Sequence, residues 1–453
     1  SHRHNNSLFS NPLFGGTRRR QSTTLLATLP LITSASARTS AGLHTAADKS
    51  KASVLSGPFA YSAYRRFWLA GLLSYTAFWI QIISRSWLIQ DMTGSPFLVS
   101  LVPITMLLPM LILSLPAGIL ADRANRRKIV IGAEAAALLG YVALTAIAIF
   151  GNVQVWHVLA LSTLTGVIMA TAGPSRMSVI AHLVPTKELQ RGIGLSAVVF
   201  NLAQIAGPAM GGILIGQFGT EAALAASLFF TLPAVLLYKS VHFNGERADK
   251  SKVAAPFQAL EDGLRYVGSN PELRNLLIGA LIVIVTISTW NALMPTFAAD
   301  VLGRGPEVLG LLTLAAGVGA LFGSIFSVVL ASKIRHQRIE LVAAIALTLS
   351  VLGFAASPWL GLSVFFAAMA GMSQTTFFVT NMTVAQVASV DEFRGRVQSI
   401  RFLIVGLQPV GVLVLGLIAE SFGPQIAVAS MATIGAVGYG IAHIMSKRHA
   451  AAA

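Results

Sequence analysis

The chain has 453 residues and a formal net charge of +15; 55% of its residues are hydrophobic and 11% are charged. Soluble domains carry about 25% charged residues, so this composition excludes a cytosolic enzyme, a disordered chain and a nucleic-acid-binding module. The chain contains no Cys, which excludes disulfide scaffolds, thiolate metal sites and cysteine nucleophiles. We therefore expect a polytopic membrane protein, in which excess positive charge is typical of cytoplasmic loops.

Residues 1–58 differ in composition from the rest of the chain. They are rich in Ser, Thr and Arg, and no acidic residue precedes Asp48. Such a composition is typical of transit peptides. Because composition alone is a weak signal, we favour a disordered basic cytoplasmic tail or upstream sequence translated from a wrongly assigned start.

Twelve apolar segments follow, each long enough to cross a bilayer as a helix. They are residues 67–90, 97–121, 128–150, 156–183, 192–217, 221–241, 273–299, 307–331, 338–356, 358–386, 397–419 and 423–445. The sequence thus divides into an N-terminal half (59–241), a linker (242–272), a C-terminal half (273–446) and a short tail (447–453).

Basic residues are concentrated in the loops on one side of the predicted bundle. Arg127, Lys187, Lys239 and Arg338 are examples, whereas the opposite loops contain only Arg304. Positively charged loops are retained in the cytoplasm. We therefore expect both termini inside, which requires an even number of spans.

The two halves resemble each other in sequence. Residues 212–219 (GILIGQFG) match residues 416–423 (GLIAESFG), near the ends of the fifth and eleventh spans. Repeated halves of this kind are related by an axis along the membrane normal and bind substrate between them near the midplane. The predicted fold class is therefore an all-α polytopic membrane protein with twelve transmembrane helices in two pseudo-symmetric six-helix halves.

The linker contains one amphipathic segment. Phe257, Leu260, Leu264 and Val267 recur at helical spacing, with charged residues between them. This pattern predicts a helix that lies along the membrane surface or against the bundle, most simply as a structural brace.

The loop between the second and third spans, residues 118–128, reads GILADRANRRK. Its glycine permits close backbone approach, its aspartate can accept hydrogen bonds from a helix N-terminus, and its basic cluster binds anionic lipid headgroups. The loop resembles the signature loop of the major facilitator superfamily, which implies a cytoplasmic charge lock formed by Asp122 and Arg123. In the second half Val328 and Ser332 replace the equivalent Gly and Asp. The gating candidates are Gly118, Asp122, Arg123, Arg126, Arg394 and Arg396.

The fifth span is rich in small residues and contains one proline. Small residues four apart let helices pack closely, and proline removes a backbone hydrogen bond and bends the helix. The spacing resembles the exporter motif G-x8-G-x3-G-P-x2-G-G, with Ala203 in place of one glycine. Ordinary helix packing is the alternative. The hinge candidates are Gly194, Gly207, Pro208, Gly211 and Gly212.

A finer resemblance covers nearly the whole chain after residue 60. The segments TGSP (93–96), GPSR (173–176) and DEFRGRV (391–397) are similar to those of the enterobactin-exporter-like, or transmembrane secretion effector, branch. This resemblance implies export of siderophores, macrolides or other amphipathic metabolites from a bacterial inner membrane, usually by proton antiport. Drug antiporters commonly have an Arg in the fourth span where this chain has Ser162, so the resemblance does not carry over that coupling motif.

Polar residues inside membrane spans are costly and are candidates for function. For each residue the functional role is to line the substrate cavity, and the alternative role is to form an interhelical hydrogen bond. The functional role of Arg85 would be to attract anionic cargo from a water-filled cavity. The candidates for the substrate cavity are Gln81, Arg85, Asn201, Gln204, Trp290, Asn291, Gln374, Asn381 and Gln408.

Antiport requires a carboxylate that binds and releases a proton. Glu134, in the third span, is predicted to be the one carboxylate well inside a helix, where it either couples to protons or pairs with Arg176 as a structural charge. We find no metal-ligand spacing, no catalytic constellation and no cofactor motif, so we predict no enzyme activity, no metal site and no cofactor.

The sequence therefore predicts a secondary active exporter, working by alternating access as a monomer. Its expected partners are a small-molecule substrate, membrane lipids and protons as the coupling ion, and no nucleic acid. An importer or lysophospholipid flippase of the same fold, and a non-transporting membrane receptor or scaffold, remain the alternatives.

Overall fold

A computed structural model describes residues 57–123, 125–242, 256–331 and 334–452, apart from the side chains of 114–123, 256–260, 328, 331 and 446–452. The N-terminal segment 1–58 lies outside the described residues except for Gly57 and Pro58. The prediction of a targeting segment or basic tail therefore falls on residues that the structure does not describe.

Twelve helices among the described residues are long and apolar enough to cross a membrane, which confirms the predicted fold class. We number them spans one to twelve: Ser62–Thr93, Pro96–Arg123, Arg126–Ile149, Val155–Leu183, Thr186–Phe218, Thr220–Ser240, Pro271–Val301, Pro306–Ala331, His336–Ala356, Leu360–Val387, Arg394–Phe422 and Pro424–Ala452. The linker contains a helix over Pro256–Ser269.

Short-range signals in the sequence set where several spans begin and end. The side chain of Asn125 accepts a hydrogen bond from the backbone N–H of Lys128 and caps span three, and Asn270 caps span seven in the same way. Asparagine at this position satisfies backbone donors that the first helical turn leaves unpaired. Spans five and eleven end at Gly219 and Gly423, with φ of +88° and +85°. These left-handed values favour glycine, and the two positions coincide in the repeated segments.

Spans seven and eleven are interrupted, which the sequence analysis did not predict. Span seven is α-helical over Pro271–Val285, 3₁₀-helical over Ile287–Leu293, and ends in a single π-helical turn. Pro295 follows the 3₁₀ segment, and Pro409 follows the break between Arg394–Gly406 and Gln408–Phe422 in span eleven. Proline cannot donate the backbone hydrogen bond that a continuous helix requires. Pro208 nevertheless lies inside a continuous span five, so proline alone does not decide where a helix breaks.

The two halves meet at one end of the bundle, formed by the loops that follow the odd-numbered spans. We call this the closed end. Here Gln90 bonds to Asp300 and Thr296 at 3.0 and 2.7 Å, and Glu420 accepts hydrogen bonds from Ser95 Oγ and the Phe97 N–H at 2.8 and 3.1 Å. These bonds join spans one and two to spans seven and eleven across the interface.

The opposite end, formed by the loops that follow the even-numbered spans and by the linker helix, is the basic end. The linker helix packs on the C-terminal half: Val267 is buried with Val397 and Ile400 of span eleven. The predicted helix is therefore present, and of the two predicted positions it occupies the one against the bundle.

Candidate functional site

A cavity of about 420 Å³ lies between the two halves. Drug-sized ligands bind in cavities of about 300–1,000 Å³. The lining residues come from spans one, two, four and five of the first half and spans seven, eight, ten and eleven of the second. This is the place that the repeated halves predicted for substrate.

Five of the nine predicted cavity residues line this cavity: Gln204, Trp290, Asn291, Gln374 and Gln408. The Trp290 indole N–H donates to Gln374 Oε1 at 3.1 Å, and Gln408 Nε2 donates to the Ser288 carbonyl at 3.4 Å. Trp290 and Asn291 lie in the 3₁₀ segment of span seven, and Gln408 lies directly after the break in span eleven. The helix interruptions therefore place these polar groups at the cavity wall.

Among the described residues that line the cavity, none is charged. Aromatic and methionine side chains contribute much of its wall: Phe78, Trp79, Met106, Met110, Met169, Phe200, Trp290 and Met294. Methionine adapts its shape to different apolar ligands, and each amide group offers both a donor and an acceptor. The wall is suited to an amphipathic compound with little net charge.

Trp79 is a cavity residue that the sequence analysis missed. Its indole N–H is shielded from solvent and has no hydrogen-bond partner among the described residues. A buried donor without a partner carries a desolvation penalty, which a ligand acceptor in the cavity would relieve. Nothing in the local sequence separates Trp79 from an ordinary apolar residue of span one; only its position opposite Phe200 of span five does so.

The other four predicted cavity residues are not among the residues that line it. Gln81 donates to Ser227 at 2.8 Å, and Arg85 donates to Thr165 at 2.9 Å, both inside the N-terminal half. Asn381 bonds to a carboxylate in span nine, and Asn201 is half-buried on span five. Gln81, Arg85 and Asn381 thus have the alternative role, that of interhelical hydrogen-bonding groups.

Arg85 is 1% exposed, although the prediction allowed it to face a wet cavity. Its guanidinium also approaches the Leu161 carbonyl at 3.4 Å and the Tyr141 ring at 5.5 Å. It ties span one to spans three and four, away from the wall of the central cavity.

Glu134 is 1% exposed and forms an ion pair with Arg176. The Ser74 hydroxyl lies 2.9 Å from each carboxylate oxygen of Glu134. The guanidinium of Arg176 lies 5.0 Å from the centre of the Tyr75 ring. Ion pairing compensates for burying a carboxylate. Of the two roles that the sequence left open for Glu134, the geometry corresponds to the structural charge.

A second carboxylate, which the sequence analysis did not consider, is also buried. Glu340, one turn into span nine, is 5% exposed and accepts a hydrogen bond from Asn381 Nδ2 at 2.9 Å. Its closeness to the helix start makes it look like an end residue in the sequence. Packing against neighbouring spans, which the sequence does not display, buries it.

The glycines of span five make close contacts with both halves. A Cβ at Gly207 would lie 2.5 Å from the Trp79 Cβ, and a Cβ at Gly212 would lie 2.6 Å from the Cα of Gly310 in span eight. A Cβ at Gly211 would overlap the Ile83 side chain, whereas one at Gly194 would have no neighbour within 4 Å. Gly207, Gly211 and Gly212 therefore permit packing, Pro208 lines the cavity, and Gly194 meets no such steric requirement.

The predicted charge lock falls partly outside the description, because the side chains of Gly118, Asp122 and Arg123 are not described. Arg126 lies 3.2 Å from His182 in its own half. Arg394 pairs with Asp391 at 2.9 Å, and Arg396 approaches Asp262 of the linker helix at 3.8 Å. In this conformation these three arginines make contacts within their own half or with the linker.

A family model described as transmembrane secretion effector matches residues 52–452. Similar proteins include the multidrug efflux pump Tap of Mycolicibacterium fortuitum, which is 26% identical over 76% of this chain and 86% of that protein. The staphyloferrin A transporter of Staphylococcus aureus is 20% identical (79% and 89% covered), and macrolide efflux protein A of Streptococcus pyogenes is 23% identical (74% and 84% covered).

Solved transporters share the fold. A bacterial homologue of the human lysosomal transporter Spinster, in an inward-facing and unoccupied conformation, superposes with a TM-score of 0.67 at 15% identity, covering 85% of this chain and 97% of that chain. The nucleoside transporter NupG gives a TM-score of 0.67 at 10% identity, covering 85% and 99%. At such identities the likeness concerns the fold alone.

Proposed function

Because the chain belongs to the transmembrane secretion effector family of the major facilitator superfamily, we propose that it exports a small amphipathic compound by alternating access. The chain is an integral multi-pass membrane transporter and not an enzyme. We place it in a bacterial inner membrane as a monomer, with the basic end and both termini in the cytoplasm and protons as the coupling ion.

The central cavity is the observation that carries this proposal. It lies between the halves, its described lining is uncharged, and it combines amide groups with aromatic and methionine side chains. Such a wall favours amphipathic compounds with at most one charge over polycarboxylates, since a multiply charged ligand would leave water without compensating charges. Among the relatives, a macrolide efflux protein fits this chemistry better than a staphyloferrin A transporter does.

The relatives, and not the conformation, support the direction. The halves bond to each other at the closed end through Gln90, Asp300 and Glu420, and Gly212 meets Gly310 there. With the basic end in the cytoplasm, these contacts close the side away from the cytoplasm, which exporters and importers both do during alternating access. Relatives named as efflux pumps support export over import.

The test is uptake of radiolabelled erythromycin into everted membrane vesicles energised by an inward-acidic pH gradient. We expect accumulation that collapses when the gradient is dissipated, and little accumulation of labelled staphyloferrin A. Accumulation only in right-side-out vesicles would indicate an importer, and transport of neither probe in either orientation would favour a receptor or scaffold. Preferential accumulation of staphyloferrin A would contradict the assigned substrate class.

A matched pair of variants tests the cavity itself. Gln204→Leu removes a lining amide from span five, whereas Asn201→Leu removes an amide from the same helix outside the lining. We expect the first to lower erythromycin transport and the second to leave it near wild type. Equal loss in both variants would show that transport does not depend specifically on the cavity lining.

A further inference from the structure

Two carboxylates are buried in corresponding helices of the two halves, and their partners differ. Glu134 in span three faces a guanidinium and a hydroxyl. Glu340 in span nine faces the amide of Asn381. Among the described residues, no Lys or Arg side chain forms a contact ion pair with Glu340. The charge of Glu134 is therefore compensated by a direct ion pair, whereas Glu340 has only the more distant guanidinium of Arg401.

Within the described part of the chain, the side-chain amide of Asn381 has hydrogen-bond partners for its nitrogen but not for its oxygen. It is 0% exposed, its Nδ2 donates to Glu340 Oε1 and to the Leu276 carbonyl at 2.9 and 3.3 Å, and its Oδ1 has no partner among the described residues. A buried amide oxygen without a donor is unfavourable. An ionised carboxylate can only accept hydrogen bonds, whereas a protonated one carries an O–H donor. A proton on Glu340 would thus both remove a buried charge that has no contact ion pair and supply a donor for Asn381 Oδ1.

We propose that Glu340 and Asn381 form a proton-binding site in the C-terminal half, with the proton held as a carboxylic acid paired to the amide. The proposal rests on the proposed function where it assigns this proton to transport. The proton is taken from water as Glu340 becomes a neutral acid, and it returns to water when the carboxylate re-forms. No other bond is made or broken.

The groups that face this site suggest how the proton is released. Arg401 of span eleven interacts electrostatically with Glu340 and donates to the Phe378 carbonyl of span ten at 3.4 Å. Tyr439 of span twelve also faces Glu340, and its ring stacks on His443 with centroids 6.4 Å apart. Movement of span eleven that brings Arg401 closer would favour the ionised carboxylate. Approach of that guanidinium is therefore the releasing step.

The site is connected to the spans that line the cavity. Asn381 lies on span ten, two turns beyond Gln374, and bonds to span seven through Leu276. Span seven carries Trp290 and Asn291, which line the cavity. Loss of the proton would remove the O–H···Oδ1 bond between spans nine and ten and leave a charge-assisted N–H···O bond in its place, so occupancy at Glu340 changes the contacts of helices that line the cavity.

Infrared spectroscopy tests proton binding without knowledge of the substrate. Purified full-length protein in lipid is titrated with acid while the carboxylic C=O stretch is recorded for wild type, Glu340→Gln and Glu134→Gln. Exposed carboxyl groups titrate in all three proteins, because the chain has 17 Asp and Glu residues. We expect one further component, at the higher frequency of an acid shielded from water, that is absent in Glu340→Gln and present in Glu134→Gln. Persistence of that component in Glu340→Gln, or its absence in wild type, would overturn the proposal.

A second variant, Asn381→Ala, tests the pairing between Glu340 and Asn381 in case Glu340→Gln does not fold. The variant leaves Glu340 in place and removes its hydrogen-bond partner, so we expect the band to persist and to move to the higher frequency of a less hydrogen-bonded acid. An unmoved band would show that the acid is not paired to Asn381. Elution as a single species and an unchanged amide I band establish that each variant is folded.

A transport assay distinguishes failure of the proton-site proposal from failure of the proposed export function. In proteoliposomes, Glu340→Gln is expected to lose erythromycin accumulation driven by a pH gradient by tenfold or more, while exchange of labelled for unlabelled erythromycin continues. Accumulation that persists in Glu340→Gln would overturn the role of Glu340 in coupling. Failure of wild type to move erythromycin at all would count against the proposed function, and the infrared result would still decide the proton site.

Discussion

The closed end and the basic end of the bundle differ in the contacts that their residues make. At the closed end the halves meet through backbone packing at Gly212 and Gly310 and through hydrogen bonds that Glu420 accepts. At the basic end Arg126 contacts His182 in the same half, and Arg396 approaches the linker helix. Close packing has few alternative arrangements, whereas exposed polar contacts exchange readily with water. The closed end therefore combines steric fit with hydrogen bonds between the halves, whereas the charged contacts described at the basic end stay within one half or join it to the linker.

This difference can be measured directly, because a chain without Cys accepts spin labels without background substitutions. Labels at Met92 and Phe422 report the closed end, and labels at Lys187 and Arg338 report the basic end; all four side chains are exposed. We expect a narrow distance distribution for the first pair and a broader one for the second.

The largest effect is expected from Gly212→Ala. The added Cβ would lie 2.6 Å from the Gly310 Cα, and overpacking of this kind costs about 1–3 kcal/mol. If the closed end bears this cost, the closed conformation is disfavoured by about 5- to 150-fold, and we expect transport to fall by about tenfold or more. The distance between labels at Met92 and Phe422 should increase. Gly194→Ala is the matched control, since it adds the same atom to the same helix where no neighbour lies within 4 Å; similar losses in both variants would contradict the steric account.

A smaller effect is expected from Asp122→Asn at the basic end. The substitution removes one charge from a predicted switching contact without removing a packed group, so folding should be preserved while transport falls by about fivefold, within the usual range of coupling energies. The label pair at Lys187 and Arg338 should change its distribution. Wild-type transport in this variant would remove Asp122 from the predicted lock.

A smaller effect still is expected from Glu420→Gln. The substitution keeps the shape but removes the charge that faces the start of span two, where Glu420 bonds to Ser95 and the Phe97 N–H. An anion at a helix N-terminus contributes about 0.3–1 kcal/mol, so transport should change by about two- to fivefold. Broadening of the Met92–Phe422 distribution would accompany the change; a loss as large as that of Gly212→Ala would show that charge governs this end as well.

The smallest effect is expected from Arg265→Gln in the linker helix. Arg265 pairs with Glu261 at 2.7 Å within one exposed helix face, and such pairs contribute at most about 0.5 kcal/mol. Transport should remain within about twofold of wild type, and both label-distance distributions should be unchanged. A marked loss would mean that this ion pair connects the linker to the switching machinery.

Local chemistry determined much of what the sequence predicted correctly. Apolar runs of sufficient length predicted the twelve spans. The structure adds features of equally local origin that the sequence analysis did not single out: Asn125 and Asn270 cap two helix starts, and left-handed glycines end both repeated segments, at 219 and 423. Each of these features depends on residues close together in the chain.

The candidate site could be predicted only in part. Gln204, Asn291 and Gln374 line the cavity as expected, but Gln81 and Arg85, which look equivalent in sequence, bond within the first half. A helix places a polar residue on one of several faces, and the neighbours that cover each face come from distant spans. The sequence could not separate cavity residues from interhelical ones for this reason.

By itself the sequence determined that this protein is a twelve-span membrane protein with two related halves, because hydrophobic length, charge bias and repetition are properties of the chain. Only the tertiary structure decided that spans seven and eleven break beside the cavity, and that Gly212 meets Gly310. The structure also distinguished the two buried carboxylates, giving Glu134 a guanidinium and Glu340 an amide. A carboxylate's partner is contributed by another helix, so its role follows from packing between residues far apart in the chain.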